Sequence, residues 1–124
     1  MRTFDNTTAD TYSVGAVDVM RWEQYELGEL MPFGAMWYVV PPGESSPVDC
    51  HPERELSLVV SGCALVMAGE HSAEVAAGSA FLLEGDEDHM VVNRSADQPL
   101  VVFSAYWMPG DDVPAAPQGQ VAHA

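Results

Sequence analysis

Glycine and proline occur at short intervals through the middle of the chain and divide it into short segments rich in Val, Leu, Phe, Tyr and Trp. The dividers include Pro41-Pro42-Gly43, Ser61-Gly62, Ala77-Gly78 and Glu84-Gly85-Asp86, which are typical turn sequences. Short apolar segments between turns predict an all-β sandwich or barrel. The predicted strands cover residues 20–25, 35–40, 56–60, 64–67, 73–75, 80–83, 89–93 and 100–108.

The length of 124 residues suits a single domain, and a hydrophobic content of 48% is enough for a buried core. Polar segments flank the apolar middle of the chain. We therefore expect an N-terminal tail over residues 1–12, a β-barrel domain over 13–108, and a C-terminal tail rich in Pro, Gly and Gln over 109–124.

The charge is strongly acidic, with four arginines, no lysine and 19 acidic residues, for a formal net charge of -15. Nucleic acids and anionic membranes bind cations, so neither is an expected partner. The absence of lysine excludes Schiff-base chemistry and a P-loop. Without an apolar run long enough to span a membrane, a signal peptide or a cysteine framework, the sequence predicts a cytoplasmic protein.

The stretch from Trp22 to Trp37 is dense in Met, Phe, Trp and Tyr. One interpretation is ordinary packing within the chain. The alternative is a strand exchanged across a dimer interface, where aromatic residues and Met are enriched. We expect a homodimer.

Three potential metal ligands, Asp49, His51 and Glu55, all stand at odd positions of one short segment. On an extended strand these odd positions share one face, so the three side chains can converge. His89 begins another predicted strand and supplies a fourth ligand. Two histidines and two carboxylates on neighbouring strands predict a divalent-metal site.

These residues and the surrounding glycines give the chain its resemblance to the cupins. The first cupin motif runs G, five residues, H-x-H, three or four residues, E, six residues, G. The second runs G, five residues, P-x-G, two residues, H, three residues, N. Seven positions match in register across the two blocks, namely Gly43, His51, Glu55, Gly62, Gly78, His89 and Asn93. The resemblance covers residues 35–108 and implies a double-stranded β-helix, the jelly-roll barrel of cupins, with a metal site in its mouth.

Two positions depart from the cupin pattern. Asp49 stands in place of the first histidine, and Glu84-Gly85-Asp86 replaces P-x-G. If Asp49 is a ligand, the site has two anionic ligands and favours Fe(II) or Mn(II), with Zn or Ni as alternatives. If it is not, His51, Glu55 and His89 still form the two-histidine, one-carboxylate set of non-haem iron enzymes.

Other residues near the motifs have more ordinary interpretations. Asn93 is expected to bind backbone rather than metal. The acidic run from Glu84 to Asp88 is expected to be a solvated turn, with a charged field around His89 as the alternative. The aromatic side chains of Tyr38, Phe81, Tyr106 and Trp107 are candidates for a substrate pocket.

The sequence thus favours a metal-dependent enzyme acting on a small organic molecule, in bacterial specialised metabolism or catabolism. Asp49 and Glu55 are the candidate catalytic residues, with Asp49 as general base if it is free. The reaction is either that of an Fe(II) dioxygenase or that of a Lewis-acid isomerase or cyclase. Few basic groups favour a neutral, aromatic or amine-bearing substrate. The alternative function is a non-catalytic binding protein or an accessory subunit of a biosynthetic enzyme.

Overall fold

The computed structural model describes residues 1–110 and shows nine β-strands with two short 3₁₀ helices. The predicted C-terminal tail lies outside the described residues from position 111 onward. The strands are β1 (Tyr12–Val14), β2 (Val17–Arg21), β3 (Gly34–Val40), β4 (Arg54–Ser61), β5 (Cys63–Ala68), β6 (His71–Ala76), β7 (Ala80–Leu83), β8 (His89–Val92) and β9 (Leu100–Trp107). The 3₁₀ helices are Trp22–Tyr25 and Gly28–Leu30. Over residues 1–110, no helix is long and apolar enough to cross a membrane.

Seven of the eight predicted segments are strands, and the first one differs. The strand predicted over residues 20–25 ends at Arg21, where the chain turns into the helix Trp22–Tyr25. The helix ends at Glu26, whose φ of 52° places it in the left-handed region. The turn directs the aromatic rings of Trp22 and Tyr25 back onto the sheet, where Trp22 lies 4.9 Å from Trp37 between ring centroids. Trp22 and Tyr25, which the sequence placed in a strand, therefore belong to a short helix that packs against the sheet.

All strand pairs are antiparallel and form two sheets, in the orders β1-β2-β3-β9-β4-β7 and β6-β5-β8. Alternation along β4 defines inside and outside, because Glu55, Ser57 and Val59 are buried while the residues between them are exposed. Val59 and Val102 from the larger sheet share one core with Val66 and Val91 from the smaller sheet. The two sheets thus enclose a single core, as the prediction of an all-β barrel requires.

An aromatic cluster covers part of the outer face of the larger sheet. Phe4, in the predicted N-terminal tail, lies 4.3 Å from Tyr25 and 5.3 Å from Trp22 between ring centroids. Trp22 in turn contacts Trp37 of β3 and Phe103 of β9. These contacts join the predicted tail, the helix Trp22–Tyr25 and the sheet. Residue 12 of the predicted tail is the first residue of β1.

Candidate metal centre

Backbone pairing between the β3–β4 loop and β8 builds the site. Asp49 and His89 form an isolated antiparallel bridge, in which each backbone N–H donates to the other's carbonyl at 2.9 Å. Two residues further on, the carbonyl of His51 accepts a hydrogen bond from the backbone N–H of Asp86 at 2.7 Å. The loop that carries Asp49 and His51 is therefore fixed against the strand that carries His89.

Both histidines are oriented by the same type of contact. The Nδ1 of His51 lies 3.0 Å from the carbonyl of Glu53, and the Nδ1 of His89 lies 3.1 Å from the carbonyl of Glu87. Because a carbonyl only accepts, each Nδ1 carries the proton and donates it. This tautomer leaves the Nε2 lone pair of each ring for a metal ion, and the backbone contact holds each ring in place.

Asp49, His51 and His89 form the group that fits a divalent metal. One potential ligand atom from each residue lies within 4.8 Å of the others, and the ring centroids of the two histidines are 4.7 Å apart. His89 is buried, His51 half-buried and Asp49 exposed. Two imidazoles and one carboxylate suit a divalent ion with free coordination positions.

The fourth predicted ligand, Glu55, lies beside this group. Its Oε1 is 3.5 Å from His51 Nε2, while its Oε2 lies 3.2 Å from the hydroxyl of Ser57 and 3.3 Å from that of Ser104; one of the two serines donates to Glu55 and the other donates to its fellow serine. The two hydroxyl oxygens are 2.7 Å apart, and both serines are fully buried. These hydrogen bonds compensate the burial of a carboxylate that is only 6% exposed.

The sequence interpretation did not include the two serines, although the position of Ser57 in the sequence could have indicated its role. Ser57 follows Glu55 by two positions and therefore shares its inward face on β4. A polar residue on the buried face of an apolar strand needs a partner. Ser104 becomes visible only through the pairing of β4 with β9, which places Ser57 directly opposite Ser104.

A cavity of about 220 Å³ opens beside the metal group. Asp49, Glu55 and His89 form part of its lining, together with Tyr38, the one predicted pocket residue that borders it. Tyr38 is 5% exposed, and its hydroxyl has no hydrogen-bond partner. Burial, followed by the negative charge of Glu55, raises the pKa of the Tyr38 phenol. The phenol therefore stays protonated and can donate a hydrogen bond.

The structure places the other three predicted pocket residues elsewhere. Tyr106 and Trp107 line a second, more open cavity of about 740 Å³. Their position near the end of β9 brings them next to the helix Trp22–Tyr25, which replaced the predicted strand. Burial is the main cause that raises the pKa of Tyr106 to about 12. Phe81 is half-buried and packs against the hydrophobic core.

The residues around the metal group agree with their more ordinary interpretations. Glu84, Asp86 and Asp88 are exposed in a turn, as expected for a solvated acidic run, and Glu84 pairs with Arg54 at 3.3 Å. Asn93 is fully buried and binds backbone groups. Partial desolvation, then the carboxylate of Asp88, raises the pKa of the Cys50 thiol, so this exposed cysteine is not an activated nucleophile.

Solved structures share this fold along most of the chain. The plu4264 protein from Photorhabdus luminescens is 25% identical, with 86% of each chain covered and a TM-score of 0.72. A Cupin 2 conserved barrel domain protein from Salinispora arenicola is 24% identical over 86% of this chain and 87% of its own, with a TM-score of 0.70. The polyketide cyclase RemF from Streptomyces resistomycificus is 18% identical over 86% of this chain and 78% of its own, with a TM-score of 0.72.

The sequence comparisons agree with the fold. No protein of curated function matches the chain in sequence. The family model described as Cupin domain matches residues 36–106, which includes the bridge between Asp49 and His89 and all four predicted ligands. Because the match spans more than half of the sequence, the chain belongs to the cupin domain family.

Proposed function

We propose that the chain is a metal-dependent enzyme that catalyses proton transfer on a small organic molecule, as an isomerase or cyclase does. The observation that carries this proposal is the group of Asp49, His51 and His89, of which Asp49 and His89 line a cavity, with a backbone carbonyl at the Nδ1 atom of each histidine. When bound, a divalent ion at this group supplies Lewis-acid polarisation of a carbonyl or enolate oxygen. Mn, Zn and Ni serve this chemistry.

Glu55 is the residue that we assign to proton transfer. It lines the same cavity, lies outside the three-residue group and is held at Oε2 by the hydrogen-bonded pair of Ser57 and Ser104, which leaves Oε1 on the side of His51. A carboxylate fixed in this way is positioned to accept a proton from a molecule in the cavity. The sequence interpretation gave the general base to Asp49 if that residue is not a ligand; because Asp49 belongs to the group that fits a metal, we propose Glu55 for this role.

Proton exchange at carbon tests this proposal. The metal-loaded protein is incubated in D₂O with a panel of small ketones and 1,3-dicarbonyl compounds, and deuterium incorporation next to the carbonyl is followed by NMR. We expect Glu55→Gln to slow the exchange by roughly 100-fold or more, because a general base contributes on that order. The exposed Glu70→Gln is the matched control. Exchange that is equally fast in both variants would exclude Glu55 as the base.

An Fe(II) dioxygenase is the second candidate, favoured by the composition of the group, since two histidines and one carboxylate are the ligand set of non-haem iron oxygenases. Oxygen uptake by the iron-loaded protein in the presence of phenols, thiols or amines supports this candidate. A binding protein without catalysis predicts neither oxygen uptake nor deuterium exchange.

The fold is shared with RemF, which is named a polyketide cyclase, and such a barrel can therefore house cyclase chemistry.

We also propose that two copies of the chain associate through the part of the larger sheet that no other segment of residues 1–110 covers. The bare patch consists of Leu56, Leu58 and Val60 on β4 and Leu82 on β7, whose exposed fractions lie between 42% and 53%. Leu56 and Leu82 are direct cross-strand neighbours. A chain with a net charge of -15 repels a second copy over most of its surface, and this patch is uncharged. A two-fold interface is self-complementary, so one apolar patch serves both copies.

The dimer is tested by light scattering after size-exclusion chromatography. We expect the mass of the wild-type protein to be about twice 13.4 kDa and that of Leu58→Glu to be about 13.4 kDa, because the substitution places two carboxylates in one apolar interface. Met67→Glu, at an exposed position of the other sheet, is the matched control and should remain dimeric. A wild-type mass of one chain, or a dimeric Leu58→Glu variant, would exclude this interface.

A further inference from the structure

A guanidinium lies at the rim of the cavity that contains the metal group. Arg21 ends β2 and follows Val17 and Val19 at every second position, and all three residues line the cavity. Side chains two positions apart on a strand share a face. Arg21 therefore continues the inward-facing row of β2 from the buried valines to the exposed rim.

Two phenols hold the guanidinium in place. Arg21 Nε donates to the hydroxyl of Tyr12, and Nη1 donates to the hydroxyl of Tyr106 at 2.8 Å. The Cζ atom lies 5.9 Å from the ring centroid of Tyr12 and 5.6 Å from that of Tyr106. These contacts fix the position of the group. A guanidinium has more N–H donors than these two hydrogen bonds use, so donors remain for another acceptor.

The charge of Arg21 is not neutralised by a side chain of the described segment. Arg54 pairs with Glu84 and Arg94 with Glu74, whereas within residues 1–110 no carboxylate oxygen lies within 4.0 Å of an Arg21 nitrogen. Glu23 instead accepts a hydrogen bond from the Tyr106 hydroxyl at 3.0 Å. In a chain with 19 acidic residues and four arginines, a cavity arginine held by neutral phenols is available to an anionic ligand.

A second polar group in the same cavity also lacks a partner. The Tyr38 hydroxyl is buried in the cavity lining and makes no hydrogen bond of normal geometry, and the nearby Ser57 hydroxyl lowers its pKa by less than burial raises it. A buried hydroxyl without a partner destabilises a fold unless a bound molecule satisfies it. The lining of the cavity thus includes the cation Arg21, the buried phenol of Tyr38, and the acidic and histidine side chains of Asp49, Glu55 and His89.

We propose that the substrate is a small carboxylic acid whose carboxylate binds Arg21 and one of whose other oxygens accepts the hydrogen bond of Tyr38. Arg is the side chain whose planar donors match a carboxylate in two parallel hydrogen bonds. The cavity volume of about 220 Å³ is below the range of roughly 300–1,000 Å³ typical of drug-sized ligands, so the acid is small. This inference rests on the proposed function and assigns an acidic substrate, in contrast to the neutral or amine-bearing one expected from the sequence.

The test uses benzoate and its neutral isostere benzamide as probes on the full chain, stripped of metal with a chelator. The chain has four arginines, so a ¹⁵N-correlated spectrum shows four Nε–Hε signals, and the one lost in Arg21→Gln is that of Arg21. We expect benzoate to shift this signal and to bind the wild type about tenfold or more tightly than it binds Arg21→Gln, as for the loss of a charged hydrogen bond. Benzamide should bind weakly to both.

Arg94→Gln is the matched control, because Arg94 pairs with Glu74 on the smaller sheet and does not border the cavity. This variant should bind benzoate as the wild type does. Tyr38→Phe, which removes only the hydroxyl, should leave benzoate binding and the Arg21 shift unchanged, because benzoate has no oxygen besides the carboxylate that binds Arg21. The same variant should weaken the binding of pyruvate severalfold, because the keto oxygen of pyruvate is available to the Tyr38 hydroxyl. Equal binding of benzoate and benzamide to the wild type, or an unshifted Arg21 signal at saturating benzoate, would overturn the inference.

Metal content separates this inference from the proposed function. Elemental analysis of Arg21→Gln should show the same metal content as the wild type, because Arg21 is not in the metal group. Benzoate that shifts the Arg21 signal in a protein that takes up no metal supports the acid site and overturns the metal-dependent enzyme. Metal uptake by a protein that binds benzoate and benzamide equally supports the metal site and overturns the acid site.

Discussion

His89→Ala is expected to lower the affinity for a divalent ion by more than about 100-fold, because loss of a ligand exceeds the 10- to 100-fold effect of losing a residue that only supports a ligand. Asp49 and His51 alone leave one neutral donor and one exposed carboxylate, which is a weak site. The bridge between residues 49 and 89 uses backbone atoms, so the substitution leaves the fold intact. Titration of the metal-free protein by calorimetry measures the effect.

The matched control is His71→Ala, at an exposed position that begins β6. It should bind metal as the wild type does. Thermal unfolding provides an independent readout, since an ion at about 100 times its Kd stabilises a folded protein by about 2.7 kcal/mol. The wild type and His71→Ala should show this gain, and His89→Ala should lose it. Equal metal affinity in the two variants would contradict the role of His89 as a ligand.

Asn93→Ala is expected to destabilise the barrel by about 3 kcal/mol, because it removes several buried hydrogen bonds at once. The Asn93 Nδ2 donates to the carbonyls of Val40 at 3.0 Å and Gln98 at 2.8 Å, and its Oδ1 accepts from the backbone N–H of Ser95 at 3.0 Å. The residue is 1% exposed, so water cannot replace these contacts without rearrangement. Urea unfolding followed by circular dichroism measures the loss.

Gln98→Ala is the matched control, because it removes an exposed amide from the same loop and keeps the backbone carbonyl that Asn93 binds. Its free energy of unfolding should lie within about 0.5 kcal/mol of the wild type, as is usual at exposed positions. If Asn93→Ala were as stable as this control, the contacts of Asn93 would not contribute to stability. The result would also remove the explanation for an asparagine at this motif position, where it holds the β3 end and the β8–β9 loop together.

The fold was largely predictable because alternation and turn residues act locally. The segment 80–83 is a strand with the predicted bounds, and β3 differs by one residue. The helix within the segment 20–25 was not predictable in this way. A short 3₁₀ helix that packs on the outer face of a sheet needs the same apolar residues as a strand, so the local sequence does not distinguish the two. What decides its conformation is the packing of Trp22 on Trp37 and Phe103, which are distant in sequence.

The sequence predicted which residues form the candidate site better than it predicted how these residues are arranged. The odd-numbered positions of Asp49, His51 and Glu55 predicted that the three side chains share one strand face, but Asp49 and His51 lie in the loop before β4, and it is the backbone pairing of this loop with residues 86 and 89 that brings them beside Glu55. The spacing could not distinguish Asp49 from Glu55, because the bridge between residues 49 and 89 brings Asp49 to the histidines. The contributions of Arg21 and Ser104 were also not predictable from the sequence. Only the pairing of β2 with β3, of β3 with β9 and of β9 with β4 brings these two residues to the site.

The central claim is that Asp49, His51 and His89 hold a divalent ion. Elemental analysis of the protein, purified without added metal and then incubated with Mn, Fe(II), Zn or Ni and desalted, tests it most directly. The site predicts about one ion per chain for at least one of these metals, as expected for a group with free histidine nitrogens and a carboxylate. Binding of less than about a tenth of an ion per chain for every metal would contradict the account.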